Sequence, residues 1–208
     1  MSAGCTIVVM AKAPKPGLAK TRLAPALGAD GAAHLAERLL DHALREALAA
    51  DLGPVELCAA PDAMDPAFAR WRTLPLRWSD QRAGDLGERM TRAIERALAR
   101  APGHTPRVLL IGADAPALDA PMLRTAAAAL VAHDAVFVPA HDGGYVLVGV
   151  RRPAAALFAG VAWSTRHVMA QTRERLRAAG WTHHELPPVA DVDEPADLMH
   201  VPPEWLPS

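Results

Sequence analysis

Four cations, Lys12, Lys15, Lys20 and Arg22, fall within eleven residues of this 208-residue chain. They lie in the stretch Met10–Leu23, directly after the apolar run Thr6–Met10. The chain has three lysines, all of them here, and its other 19 basic residues are arginines that follow them. Random ordering would produce that segregation roughly once in 1,500 arrangements, which favours a function for the loop over a merely solvated basic turn. Lysine is a compact point charge suited to phosphate, and backbone amides in a loop after a strand can face phosphate oxygens. Lys20-Thr21 matches the last pair of a Walker A loop, but the upstream glycine is missing and only Gly17 is present.

The acidic candidates come later. Asp114, in Gly112-Ala113-Asp114-Ala115-Pro116, follows a hydrophobic run. A carboxylate there can hold a divalent ion that bridges a nucleotide's phosphates, or it can cap a turn before Pro116. Asp191 and Asp193 alternate, so extended backbone points both carboxylates to one side. Hard oxygens at that spacing suit Mg²⁺ or Mn²⁺, while Asp193 could instead cap a helix starting near Pro195. Asp142-Gly143-Gly144-Tyr145 reads as a hairpin turn, with a substrate role open for Asp142. Gln81 and Gly84, in Gln81–Glu88, could meet a nucleobase, and Asp85 is placed to cap the following helix.

Elements to position these residues can be read from periodicity. Thr6–Met10, Val55–Cys58, Leu74–Trp78, Arg107–Gly112, Ala135–Pro139, Val146–Val150 and His184–Leu186 read as strands. Helical spacing covers about Gly31 to Ala50 and Leu86 to Arg100. Asp119, with Pro121 behind it, can start a helix through Val131. Ser164 or Thr165 can cap another to Ala179, stopped at Gly180. Strands alternating with helices predict a mostly parallel, doubly wound α/β sheet. Ligands in such sheets bind beyond the carboxyl ends of the strands, so the loops after Met10, Gly112 and Pro139 should share one rim.

Composition narrows the function. With 22 basic and 23 acidic residues the net charge is −1, so no global field favours a nucleic acid. No stretch is apolar enough for a membrane span. Met1 to Cys5 lacks a signal-peptide layout, and Cys5 and Cys58 fit reduced thiols, which together predict a cytoplasmic protein. The absence of linkers and repeats predicts a single domain over 1–208, with a proline-rich surface tail from about 201. No nucleophile-elbow serine is present.

Taken in order, the basic loop Lys12…Lys20-Thr21-Arg22-Leu23, Gly112–Pro116, Asp142–Tyr145, Trp163-Ser164 and Asp191–Leu198 resemble a bacterial family of the glycosyltransferase-A, or nucleotide-diphospho-sugar transferase, superfamily. Some members are linked to arsenosugar biosynthesis. The pattern, over about residues 6 to 199, is also similar to 2-phospho-lactate guanylyltransferases and more distantly to molybdenum-cofactor guanylyltransferases. The resemblance implies a three-layer α/β/α fold, a nucleotide donor with Mg²⁺ or Mn²⁺, and a small-molecule acceptor. It implies that Lys12, Lys15, Lys20 and Arg22, with Gly17 and Thr21 in the same loop, hold phosphates. Gln81 and Gly84 would lie near the base. Asp114 and one of Asp191 or Asp193 would bind metal, and Lys20 and Asp114 would serve catalysis. Asp142, Gly143, Gly144 and Tyr145 would face the acceptor or sugar. Many glycosyltransferases of this fold carry Asp-x-Asp after the central strand, and here the second position is Pro116. The basic first loop is more typical of nucleotidyltransferases. Glycosyl transfer, nucleotidyl transfer and a non-catalytic nucleotide-binding module are therefore the three alternatives, and oligomeric state is left open.

Overall fold

A computed structural model describes residues 4–100 and 105–206. Seven strands form one sheet: β1 (Cys5–Lys12), β2 (Val55–Ala60), β3 (Leu76–Asp80), β4 (Arg107–Ile111), β5 (Ala135–Pro139), β6 (Tyr145–Val150) and β7 (His183–Glu185). Their order is β3-β2-β1-β4-β6-β5-β7, parallel throughout except for β6. Because β6 runs against both β4 and β5, the carboxyl ends of β1, β4 and β5 lie on one rim, as the sequence predicts.

Alternation along the strands builds a core on each face. Ile7 and Val9, Leu109 and Ile111, and Val136 and Val138 face one layer of helices, α1 (Ala24–Ala49) and α3 (Ala120–Ala129). Val8, Val108, Leu110 and Phe137 face the other, made by α2 (Leu86–Arg100), α4 (Ala155–Phe158) and α5 (Val168–Ala178). Both sheet faces are covered, which is why the central strands read as continuous apolar runs rather than alternating ones. The result is the predicted three-layer α/β/α architecture.

Several boundaries move. The first helix begins at Ala24, not Gly31, with Pro25 in its first turn and a kink at Gly28, where φ is 72°. Leu35, Leu39, Leu40 and Leu44 form its buried face, as their spacing predicts. Asp85 and Glu88 form reciprocal caps on α2, Glu88 N to Asp85 Oδ1 at 2.8 Å and Asp85 N to Glu88 Oε2 at 3.0 Å. Asp119 caps α3 through Met122 N at 2.8 Å, and that helix ends at Ala129 rather than Val131. Neither Ser164 nor Thr165 caps α5; His167 stands at its N-cap without a side-chain bond, and Thr165 Oγ1 takes the His167 N–H instead.

The C-terminal segment differs most. A 3₁₀ turn, Pro195–His200, is closed by a capping box between Glu194 and Asp197, so Asp193 is not its cap. The expected surface tail from about 201 is docked: Val201 is buried, a second 3₁₀ turn covers Pro203–Trp205, and the Trp205 ring packs on His42, centroids 5.2 Å apart. Val201, Val192 and Trp205 share a cluster with Leu23, Leu35 and Leu39, so the apolar residues of the tail bury against α1 and the turn before it. Pro207 and Ser208 of that tail, like Met1–Ala3, lie outside the described residues. Cys5 and Cys58 are both free and buried, and burial pushes the Cys5 thiol up to about 12. That leaves Cys5 inert as a nucleophile at neutral pH. Among the described residues no helix is long and apolar enough to cross a membrane.

Candidate active site

A cavity of about 520 Å³ opens on the shared rim. Lys12 comes from the end of β1, Lys20, Thr21 and Arg22 from the turn before α1, and Asp114 from the loop after β4. Asp142 and Gly144 come from the β5–β6 hairpin, Tyr145 from the start of β6, and Asp191 and Asp193 from the segment after β7. Residues from both ends of the chain therefore line one space. Val192 explains how: it is fully buried among Leu23, Leu35 and Leu39, and its N–H donates to Asp114 O at 2.9 Å. Its neighbours Asp191 and Asp193 are thereby held at the rim on either side.

Lys20 lies at the centre of the charges. Its Nζ donates to Val192 O at 2.6 Å and Asp193 Oδ1 at 2.8 Å, and lies 3.1 Å from Asp114 Oδ2. Its side chain is only 12% exposed. Burial opposes the charge, but Asp114 and Asp193 more than offset it, and the ammonium pKa is raised above the ordinary lysine value. Burial likewise pushes Asp193 up, and Lys20, Arg22 and Lys12 reverse this, leaving its carboxyl below the usual range. Asp191 has no such partner. Burial first, then the charge of Asp142 and, less, of Asp193 and Asp114, pushes it up to about 6. Lys12 forms no ion pair among the described residues, and Arg22 Nη1 reaches Asp193 Oδ2 only at 3.9 Å.

The hairpin fits its sequence signature. Asp142 Oδ1 accepts from Gly144 N at 2.7 Å, and Gly143 takes φ 92°. A Cβ on Gly143 would collide with the Arg166 carbonyl oxygen, so glycine is required by close approach as well as by conformation. Gly143 itself does not line the cavity. Tyr145 presents its ring to the cavity, edge-on to Phe137 and Trp163, while its hydroxyl is buried without a hydrogen-bond partner.

Some predicted residues stand elsewhere. Lys15 pairs with Asp65, Nζ to Oδ2 at 3.0 Å, and neither it nor Gly17 lines the cavity. Gly84 is also off the cavity. Gln81 lines it, but its amide Nε2 donates to Ala11 O at 3.1 Å and Cys58 O at 3.0 Å, so that donor is not free for a base. Arg89 and Arg92 of α2 hold the Gln81–Gly84 loop by its carbonyls. No site role is read from sequence for Arg89, Leu86, Met90 or the Trp163–Thr165 loop, although Trp163-Ser164 is one of the motifs that carry the resemblance, yet all of them line the same space. The helical stripe Leu86–Met90 marked a core face, and nothing local distinguishes its rim end.

Divalent-cation chemistry fits the donor set. Two carboxylate oxygens and one carbonyl oxygen converge within 3.1 Å of a single position, the one that the Lys20 ammonium holds as a stand-in cation. No cluster of three His, Cys, Asp or Glu side chains closes around one point among the described residues. A cation there would rely on the Val192 carbonyl and on ligand oxygens to complete its shell.

Comparisons with known proteins agree on the fold. A family model described as "Uncharacterized protein conserved in bacteria (DUF2064)" matches residues 18–165. A crystal structure from Desulfovibrio desulfuricans G20, named a "putative nucleotide-diphospho-sugar transferase", is 33% identical, with 93% of this chain and 84% of that one covered and a TM-score of 0.84. The manganese complex of Rv0371C from Mycobacterium tuberculosis H37Rv is 16% identical, with 95% and 97% covered and a TM-score of 0.58. A CMP:2-keto-3-deoxy-manno-octonic acid synthetase complexed with CTP is 12% identical, with 95% and 96% covered and a TM-score of 0.59. The last two share the fold. No curated protein matches the chain. The resemblance to nucleotide-diphospho-sugar transferases read from the sequence is thus borne out.

Proposed function

The chain belongs to the DUF2064 family, and from the charges gathered in its strand-end cavity we propose that it is a metal-dependent transferase using a nucleotide donor, of the nucleotide-diphospho-sugar type. One observation carries the reading. Lys12, Lys20 and Arg22 line a single cavity of about 520 Å³ together with Asp114, Asp142, Asp191 and Asp193. That volume suits a nucleotide-sized ligand, and the pairing of cations with hard oxygen donors suits a ligand that is both multiply anionic and metal-bridged.

Each residue then has a task. Lys12 and Arg22, with donors left over, hold the donor's phosphates. Asp114 and Asp193 hold the divalent cation, Mg²⁺ or Mn²⁺. When bound, that ion supplies charge neutralisation at the diphosphate. Asp142, held in place by the Gly144 N–H, orients the acceptor or sugar, and the rings of Tyr145 and Trp163 wall that end off from water. The fold positions donor and acceptor, and fixed charges stabilise the transition state. The acidic set argues against a module without catalysis.

A second reading, nucleotidyl transfer from a nucleoside triphosphate, is favoured by the basic loop itself. A loop with four cations in eleven residues suits a triphosphate, and Pro116 replaces the second aspartate of an Asp-x-Asp pair. Thermal melts with nucleoside triphosphates and nucleotide sugars, with and without Mn²⁺, identify the donor. Phosphorus NMR of the reacting mixture separates the two readings, since pyrophosphate release means nucleotidyl transfer and nucleoside diphosphate release means sugar transfer. If no nucleotide raises the melting temperature, both fall.

A further inference from the structure

Lys20 presents a conflict between two tasks. An ammonium has three N–H donors, and three oxygens surround this one, Val192 O at 2.6 Å, Asp193 Oδ1 at 2.8 Å and Asp114 Oδ2 at 3.1 Å. None is left for a phosphate. The same two carboxylates are those that would hold a divalent cation. An ammonium and a divalent cation cannot share one position between them, because like charges at that separation repel strongly in a half-buried site.

We propose that Lys20 is a gate on the metal position: its ammonium occupies the place between Asp114 and Asp193 in the free protein, and it leaves for the phosphates of an incoming nucleotide as the cation enters. The inference rests on the nucleotide-transferase reading above. Its physical basis is compensation. Withdrawing Lys20 alone would leave two partly buried carboxylates facing each other, and inserting a cation alone would force an ammonium out with nothing to receive it. Nucleotide and metal together resolve both, since phosphates receive the ammonium and the cation replaces it. The cavity provides the space, because Lys12, Thr21 and Arg22 line it together with Lys20, and phosphates held there would receive the ammonium. Among the described residues Lys20 pairs with Asp114 and Asp193 and not with Asp142 or Asp191, so it is the Asp114–Asp193 pair that is gated.

Coupling of this kind is reciprocal, so each ligand must tighten the other by the same factor. The test is a titration of the full chain with Mn²⁺, followed by the electron paramagnetic resonance signal of the free ion. It is run with Mn²⁺ alone and with ATP, GTP, CTP and UTP in turn, correcting for Mn²⁺ held by the nucleotide itself. In the unaltered protein, Mn²⁺ should bind at least tenfold tighter with the best nucleotide than alone. Lys20→Met should bind Mn²⁺ at least tenfold tighter than wild type with no nucleotide present. Adding Asp193→Asn to that variant should abolish the gain. Equal Mn²⁺ affinity in wild type and Lys20→Met would overturn the gate, as would Mn²⁺ affinity in wild type that no nucleotide changes. The wild-type comparison stands even if the variant folds poorly. The gate and the proposed function fail separately: tight Mn²⁺ binding without nucleotide, alongside a nucleotide-dependent thermal shift, removes the gate and leaves the transferase reading intact. Absence of any nucleotide effect on melting removes the transferase reading and the gate with it.

Discussion

Lys12 and Arg22 differ from Lys15 in what surrounds them. Lys15 has Asp65, while Lys12 and Arg22 keep their donors toward the cavity. Lys12→Ala is therefore expected to lower nucleotide affinity about tenfold, the worth of one charge-assisted hydrogen bond. Lys15→Ala should leave it within about twofold. Isothermal calorimetry with the best nucleotide checks both. Asp191 makes a prediction of the opposite kind. Its folded pKa, about 6, lies above the ordinary aspartate value, so the folded state resists its ionisation. Its contribution is harmless at pH below about 4, and the folded protein loses stability as pH rises from there through 6. Asp191→Asn should consequently melt above wild type at pH 7.5 in metal-free buffer, with the difference closing by about pH 4. An equal gap at both pH values would refute this.

At the scale of elements, one contact ties α2 to the sheet and another seats the β5–β6 hairpin. Arg96 of α2 reaches the buried Glu56 of β2, Nη2 to Oε1 at 2.6 Å, and Ser79 of β3 donates to the same oxygen at 2.6 Å. Glu56 is 1% exposed, so Arg96→Ala leaves a carboxylate without its cation in the interior. A loss of about 3 kcal/mol in urea unfolding is expected. Gly143→Ala pushes a Cβ into the Arg166 backbone at a residue with φ 92°. It should cost about 2 kcal/mol and impair acceptor use more than nucleotide binding, because the Asp142–Tyr145 hairpin moves and the basic loop does not. A nucleotide Kd that worsens as much as acceptor KM would argue against that placement of the acceptor.

Across the whole molecule, the C-terminal segment closes the site. Val192 and Trp205 pack on Leu35 and Leu39 of α1, roughly 150 to 170 residues upstream of them, and that packing sets Asp193 beside Lys20. Val192→Ala should cost about 2 kcal/mol of global stability. It should also weaken Mn²⁺ binding, whereas an equally destabilising change remote from the rim should not. Global stability and metal affinity measured on the same samples separate the two. A saturating nucleotide, at about a hundred times its Kd, should in turn stabilise wild type by about 2.7 kcal/mol.

Much of this was legible in order along the chain. The apolar runs, the leucine spacing of α1, the Asp85 and Asp119 caps and the Asp142-Gly143-Gly144 turn all follow from local periodicity and local hydrogen bonding. Those terms depend on neighbours within a few residues, so the sequence alone determined the α/β class, the shared rim and the loops that carry charge. What each charge faces was not legible. That Lys15 meets Asp65, that Gln81 is tied to Ala11 and Cys58, and that Lys20 fills the gap between Asp114 and Asp193 are contacts between segments distant in sequence. They are decided by burial of Val192, Leu35 and Leu39 in a common core, and the hydrophobic effect that drives it carries no directional mark that a sequence could show. Tertiary structure alone therefore brought a basic loop and the acidic segment around Asp191 and Asp193 to one cavity.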